Sequence, residues 1–306
     1  MTEPRSPGQT DVTALALVLN SMVCVQFGAA LASLLFARLG VLGTVTLRIG
    51  IAAAVLIAVC RPRIRGRTRR DWFVVGGFGI ALAAMNTLLY ESVARIPLGA
   101  AVTLEVLGPL ALSVFSSRRP ISWLWATVAL VGVILLGRDG FAGRLTLSGV
   151  VCALGAATMW AAYILLSQRV GRLFVGLDGL AMAMAAATIL VAPWGIATAR
   201  ATLLDPVALG LGAVVAALSS LLPYACDLAA LRRLRSETFA LAMSLSPALA
   251  TTAGALVLGQ WPTPTSSVAV GLVVAANAGS VLAERYREPA TERRAIPLDA
   301  SHGGGR

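Results

Sequence analysis

The chain contains no lysine, one histidine and few charged residues of any kind. Charged residues make up 13% of its 306 residues, about half of the roughly 25% found in soluble domains. So little charge cannot cover the surface of a soluble protein of this size, and a content of 58% apolar residues excludes a disordered chain. The sequence therefore predicts an integral membrane protein.

Histidine and cysteine are too scarce to build the usual metal or nucleophilic sites. The single histidine, His302, lies in a Gly-rich tail, and the four cysteines show no C-x-x-C spacing. The cysteines fall in or beside apolar runs, as small buried residues do. Without lysine there is also no G-x-x-x-x-G-K-[ST] nucleotide loop. We therefore expect no metal and no cofactor. An intramembrane enzyme is disfavoured, and the energy source is a gradient or exchange unless a partner subunit supplies it.

Apolar runs long enough to cross a bilayer recur along the chain. A spanning helix needs about 20 mostly apolar residues. Ten such runs are predicted, at 14–36, 43–60, 72–92, 97–117, 122–137, 146–168, 179–198, 207–230, 237–258 and 266–283. The expected fold class is an all-α integral membrane protein. A short cytoplasmic segment over 1–13 precedes the spans, and a disordered cytoplasmic tail over 284–306 follows them.

Arginine is distributed unevenly between the segments that join these spans. With both termini inside, 19 arginines lie in the inner segments and five in the outer ones. Lysine and arginine concentrate on the cytoplasmic side of membrane proteins. Both termini are therefore expected to be cytoplasmic. Because the basic residues sit in clusters between apolar runs, the excess of positive charge does not indicate binding to nucleic acid.

The ten spans divide into two halves of five, 14–137 and 146–283. An offset of 138 residues sets Leu107–Leu110 over Leu245–Ala248 without a gap. Because each half has an odd number of spans, the second half must cross the membrane in the opposite sense to the first. The sequence therefore predicts two inverted five-helix repeats. In secondary transporters this arrangement brings the substrate site near the midplane, between the halves.

Two prolines occupy corresponding positions in these halves, Pro109 in the fourth span and Pro247 in the ninth. A proline removes one backbone hydrogen bond and kinks its helix. A kink at the same place in both halves is interpreted as a pair of hinges or as part of a cavity wall. The alternative is that each proline is simply tolerated, as prolines often are in membrane helices.

Ionisable side chains at membrane depth usually line a cavity or pair with one another, because burying one costs about 2.5–3.5 kcal/mol on insertion scales. Glu105 lies near the middle of the fourth span. Without a partner it is expected to hold a proton, which it could exchange for a cationic group; an ion pair or an interhelical hydrogen bond is the alternative. Arg48 in the second span is the natural counter-charge for a carboxylate, although it could instead extend towards the interface. Asp227 is a further candidate unless Arg232 and Arg233 neutralise it.

Uncharged polar side chains within the spans supply the remaining candidates for a substrate-binding or proton-coupling site: Asn20, Gln26, Asn86, Tyr90 and Tyr224. Asn86 and Tyr90 are four residues apart, so they share one face of a helix. For each of these residues the alternative is a hydrogen bond between helices.

Several segments that carry these residues resemble the EamA-type drug/metabolite transporters, and within them the threonine/homoserine exporters. The resemblance covers nearly all of 14–283 and is most specific over Pro97–Pro120. Other matching segments are Val25–Ala32, Leu47–Arg48, Leu222–Tyr224, Ala230–Leu234 and Met243–Ala248. It implies ten helices in two inverted repeats in the inner membrane, exporting small metabolites in exchange for protons. Ser246 and Gln260 stand where the family commonly has acidic residues, which leaves the exact substrate open.

Together these features predict a secondary exporter of small amino acids such as threonine or homoserine, or of related metabolites, working by alternating access and proton antiport. A zwitterion in a membrane needs a partner for each charge, and Arg48 and Glu105 are the candidates. The alternative within transport is a broader drug or cationic-metabolite exporter, in which Glu105 alone would recognise the cation. Outside transport, the alternative is a structural or assembly protein. The expected partners are a small molecule, protons and the lipid bilayer; the oligomeric state is left open.

Overall fold

A computed structural model describes residues 12–117, 120–139, 145–174, 176–231, 233–234 and 236–285. In this part of the chain the regular structure is entirely helical. The α-helices are α1 (Val12–Leu34), α2 (Phe36–Cys60), α3 (Arg69–Val93), α4 (Leu98–Glu105), α5 (Leu107–Ser117), α6 (Pro120–Asp139), α7 (Leu147–Leu173), α8 (Asp178–Ala199), α9 (Pro206–Ala216), α10 (Leu222–Leu231), α11 (Ser236–Met243), α12 (Ser246–Leu258) and α13 (Pro264–Arg285).

Ten stretches of the described chain are long and apolar enough to cross a membrane. Most of them are single helices, and α8 is extended by a 3₁₀ turn over Arg200–Leu204. Three spans are composite. The fourth consists of α4 and α5, the ninth of α11 and α12, and the eighth of α9 and α10 joined by a π-helical turn over Ala217–Leu221. The prediction of a ten-span, all-α membrane protein is confirmed.

The predicted span limits differ most from the structure at the start of the second span. That span was expected from residue 43, but α2 begins at Phe36. Gly40 adopts a φ of 67°, which glycine reaches without strain, so the helix bends there and continues through the segment expected to be an outer loop. Beside this bend, the Arg38 guanidinium lies 3.7 Å from the Asp205 carboxylate. Asp205 in turn caps α9 by accepting a hydrogen bond from the Ala208 amide.

The broken fourth span of the first half has a counterpart in the ninth span. Helices α4 and α11 are eight residues long, start 138 residues apart at Leu98 and Ser236, and are each followed by a short break before the next helix. The break falls at Val106 in the fourth span and at Ser244–Leu245 in the ninth. This recurrence supports the predicted repeat.

The two halves interlock along their length. Helix α2 packs along α8, α3 along α7, α6 along α13, and α1 along α10 and the π turn. Each pair joins a helix of the first half to one of the second. Small residues permit the close approach: a Cβ at Gly195 of α8, for example, would overlap the Thr46 side chain of α2. Side chains from the middle of these helices therefore meet at the interface between the halves.

Candidate functional site

A cavity of about 190 Å³ lies at this interface, among residues from the middle of their spans. We call it the central cavity. It is lined by six of the eight side chains predicted for substrate binding or proton coupling: Gln26, Arg48, Asn86, Tyr90, Glu105 and Asp227. Asn20 is exposed outside the cavity lining, with its Nδ2 atom 3.7 Å from the Cys226 sulfur. The Tyr224 side chain lies outside those that the structure describes. The roles of all eight in transport stay predictions.

Arg48 reaches the cavity from the middle of α2. Its Nη1 donates a hydrogen bond to the Tyr90 hydroxyl at 2.7 Å, and its Cζ lies 5.2 Å from the centre of the Tyr90 ring. Its Nη2 donates to the Ser219 carbonyl oxygen at 3.4 Å. Its Nε is buried with no hydrogen-bond partner among the described residues, and no described carboxylate forms an ion pair with it. The hydrogen bonds of the guanidinium therefore go to neutral partners, and its buried Nε has none among the described residues.

The Ser219 carbonyl is available to Arg48 because of Pro223. Proline has no amide hydrogen, so it cannot donate to the carbonyl four residues earlier, which is that of Ser219. The helix widens at this point into the π turn, a feature often found at functional sites. The Ser219 hydroxyl is also buried without a partner in the described residues. Ser219 was not among the predicted site residues, although the proline four residues after it, within the same span, is a signal that points to it.

Glu105 ends α4 and faces the same cavity. Its residue surface is only 6% exposed, and within the described chain no hydrogen bond or ion pair holds its carboxyl group. The helix breaks directly after it, because Pro109 has no amide hydrogen to donate to the Glu105 carbonyl oxygen. Arg48 acts on this carboxyl electrostatically but forms no direct ion pair with it. Charging a buried carboxyl without a direct partner is costly, so a proton or an incoming cation would stabilise it.

The corresponding break in the ninth span is arranged differently. Pro247 likewise leaves the Met243 carbonyl without a backbone donor, but here the Ser246 hydroxyl donates to that carbonyl at 2.8 Å. Ser246 also lines the central cavity. The serine that departs from the family pattern therefore satisfies a backbone group that an ionised acidic side chain could not. Both prolines sit just beyond a helix break, while the hinge role assigned to them stays a prediction.

The second departure from the family pattern, Gln260, lies at the other end of α4. Its Oε1 accepts a hydrogen bond from the Leu98 amide at 2.9 Å. The first amides of a helix lack partners within that helix, and a side-chain oxygen satisfies them. Gln260 thus caps the helix that carries Glu105, which a carboxylate at this position could also do.

Asp227 provides a second carboxyl group in the cavity. It faces Ser21 of α1, and its Oδ1 is buried with no hydrogen-bond partner among the described residues. Arg232, one of the two arginines considered for neutralising it, lies outside those residues, and within them no ion pair joins Asp227 to an arginine.

Trp160 lines the cavity but was not selected from the sequence. It occupies the middle of α7, whereas four other tryptophans lie near span ends and are exposed, as at membrane interfaces: Trp72, Trp123, Trp194 and Trp261. Its position in the middle of a span, away from the membrane interfaces, is the feature of the sequence that distinguishes it from those four.

Ten membrane-spanning helices, with a cavity between two interlocked halves that polar and charged side chains reach, are typical of the architecture of a secondary transporter. The sequence model of the EamA-like transporter family matches residues 147–282, the second half of the chain. The threonine/homoserine exporter RhtA of Escherichia coli (strain K12) is 37% identical over 274 residues, which are 89% of this chain and 92% of that protein. The same-named exporter of Salmonella typhimurium (strain SL1344) is 38% identical over 278 residues, 90% of this chain and 93% of that protein.

The chain belongs to the EamA-like transporter family, and the resemblance drawn from its motifs is confirmed. It is a multi-pass membrane protein of a transporter family rather than of an enzyme family. A solved crystal structure of another protein aligns with 91% of this chain and 100% of its own, with a TM-score of 0.59 and 23% identity, which shows that the two share a fold.

Proposed function

We propose that this protein exports small amino acids such as threonine and homoserine across the inner membrane in exchange for protons. The exporters to which it is similar are named for those two substrates, and the chain aligns with over nine-tenths of their length. The observation that carries the proposal is the content of the central cavity. It holds an arginine and two carboxyl groups, none of which forms a direct ion pair among the described residues, although Arg48 acts electrostatically on Glu105.

Arg48 is the proposed site for the carboxylate of the substrate. Its free Nε and its Nη2, which makes only a 3.4 Å contact with the Ser219 carbonyl, are adjacent donors on one edge of the guanidinium. Two parallel donors match the two oxygens of a carboxylate, and charge-assisted pairs of this kind are about twice as strong as neutral hydrogen bonds. The unpartnered Ser219 hydroxyl supplies a further donor beside them.

Glu105 is the proposed partner for the ammonium group of the substrate. Asn86 supports it, because its Nδ2 donates to the Leu82 carbonyl at 2.8 Å and this leaves its Oδ1 to accept from a cation. Gln26, buried on the same cavity, contributes a second amide. Asp227 also lines the cavity and is proposed as a second proton-binding group.

The size of the cavity favours this substrate class over the broader drug or cation exporter. Pockets for drug-sized ligands are roughly 300–1,000 Å³. The central cavity, at about 190 Å³, is smaller than that range. A lipophilic cation would also bring its charge close to Arg48, for which it offers no counter-charge.

We expect proton exchange because the proton and the ammonium group of the substrate would bind to the same carboxyl group, that of Glu105. Either a proton or the substrate ammonium neutralises this carboxyl, so the arrival of one favours release of the other. We propose that the two inverted halves alternate the access of this site to the two sides, with Pro109 and Pro247 as hinges. The arginine-rich helix ends and both termini lie on the cytoplasmic side in this arrangement.

Transport by the purified protein in lipid vesicles tests the proposal. Radiolabelled threonine and homoserine are offered beside a lipophilic cation, with and without an imposed pH gradient. We expect saturable amino-acid flux that the gradient accelerates, and no flux of the cation. Flux of the cation alone would favour the broader exporter, and amino-acid flux indifferent to the gradient would refute proton exchange.

A further inference from the structure

A second cavity, of about 580 Å³, lies beside the central cavity. We call it the inner vestibule. It is lined by residues near the C-terminal ends of α5, α7 and α13 and near the start of α11, including Ser116, Gln168, Val281 and Phe239. In the topology proposed above, all of these helix ends face the cytoplasm, close to the arginine-rich segments.

Two side chains, Trp160 and Met243, line both the central cavity and the inner vestibule. Trp160 projects from the middle of α7, and Met243 is the last residue of α11 before the helix break. Both are half-buried, as expected for side chains with open space beside them. These two residues therefore form the wall that the two cavities share.

We propose that Trp160 and Met243 form an inner gate, and that the inner vestibule is the path by which substrate reaches the central cavity from the cytoplasm. The direction of passage rests on the proposed function. Met243 suits a moving part because its unbranched thioether adapts to changing surroundings. Its carbonyl oxygen accepts a hydrogen bond from the Ser246 hydroxyl rather than from a backbone amide. A side-chain hydrogen bond therefore connects the end of α11 to the start of α12.

Access of water-soluble reagents to the central cavity tests the gate without any substrate. The four native cysteines are replaced by serine, and Met85→Cys introduces a thiol into the central cavity, away from the vestibule lining. A small, membrane-impermeant thiosulfonate is applied to the cytoplasmic face of inside-out vesicles. We expect Trp160→Ala to accelerate labelling at least tenfold and Met243→Ala to accelerate it by a smaller factor. Trp261→Ala is the control, because Trp261 is 70% exposed and lines neither of these cavities.

Further variants keep the outcome unambiguous. Trp160→Phe retains a ring and should keep labelling slow, so acceleration in it as well would indicate general loosening and overturn the gate. Equal labelling rates in Trp160→Ala, Met243→Ala and Trp261→Ala would also overturn it, and Met243→Ala decides alone if Trp160→Ala does not fold. Accelerated labelling in a protein that moves no amino acid would refute the proposed function and leave the gate standing.

Discussion

The two halves of this chain both contain a span broken near a proline, but they differ in the side chains that surround the break. At the offset of 138 residues that relates α4 to α11, Glu105 corresponds to Met243 and Arg48 to Ala186. The prolines and the helix breaks occur in both halves, whereas the charged pair occurs in the first half only. The broken span therefore recurs in the two halves. The charged pair proposed to bind the substrate lies in the first half, and the proposed gate residues Trp160 and Met243 lie in the second.

The two breaks are also stabilised in different ways. In the fourth span, Gly108 lets the chain lie against the backbone of α7, since a Cβ there would overlap the Ala157 carbonyl. In the ninth span the corresponding residue is Ser246, whose hydroxyl donates a hydrogen bond to the Met243 carbonyl. One break depends on the absence of a side chain and the other on the presence of a hydroxyl.

The largest effect is expected from Glu105→Gln. The amide keeps the shape of the side chain but can neither bind the exchanged proton nor neutralise an ammonium, so proton-driven export should fall at least 100-fold in lipid vesicles. Glu91→Gln is the control, because Glu91 lies outside the cavity and pairs with Arg95; it should retain nearly full flux. Unchanged proton coupling in Glu105→Gln would remove Glu105 from the mechanism.

A smaller effect is expected from Arg48→Lys. Lysine keeps the charge but loses the planar pair of donors. Hydrogen bonds to charged groups contribute about 1.5–3 kcal/mol, so the KM for threonine should rise roughly 10- to 100-fold. Arg38→Lys, at the exposed pair with Asp205, should leave KM within about twofold, because exposed ion pairs contribute little. An unchanged KM in Arg48→Lys would exclude Arg48 as the carboxylate site.

Gly108→Ala should destabilise the protein more than Ser246→Ala does. A methyl group forced into a tight contact typically costs about 1–3 kcal/mol. Because the Ala157 backbone cannot move far, we expect a cost near the upper end, measured as the free energy of unfolding in detergent micelles. A cost below that of Ser246→Ala would contradict the tight packing inferred at the first break.

Ser246→Ala should cost about 1 kcal/mol, the usual contribution of one hydrogen bond. Ser244→Ala is a matched control, because the hydroxyl of Ser244 donates to the Leu241 carbonyl, which also accepts from the Ser244 amide. This variant should cost less. Equal losses in the two variants, by the same unfolding measurement, would mean that the Met243 carbonyl does not depend on its side-chain donor.

The spans could be predicted from the sequence because a helix that crosses a bilayer needs a continuous apolar run of sufficient length, and such a run is visible in the local sequence. The fourth span was expected over 97–117 and is found over Leu98–Ser116. At Gly40 the helix bends but continues, so α2 begins before the predicted start of the second span. Hydropathy gives no sign of this earlier start. The breaks themselves could be inferred only as kinks, since a proline indicates a missing hydrogen bond but not how the neighbouring residues respond.

The candidate site could be predicted at the positions where a single ionisable side chain lies in an apolar span, because burying such a side chain costs free energy. Glu105 and Arg48 are conspicuous in any apolar segment, and both line the central cavity. The hydrogen-bond partners of Arg48 were harder to predict from the sequence. One of them is the backbone carbonyl of Ser219, and every residue type has such a carbonyl. The shared wall of Trp160 and Met243 depends on how α7 meets α11, which no local pattern specifies.

The carbonyl that Pro223 leaves free has a consequence for the loaded transporter. The Ser219 oxygen accepts from Arg48 Nη2, the donor proposed to hold the carboxylate of the substrate. If Arg48 binds that carboxylate as proposed, the two oxygens compete for one donor. Binding would then be coupled to the main chain of the eighth span at its π-helical turn.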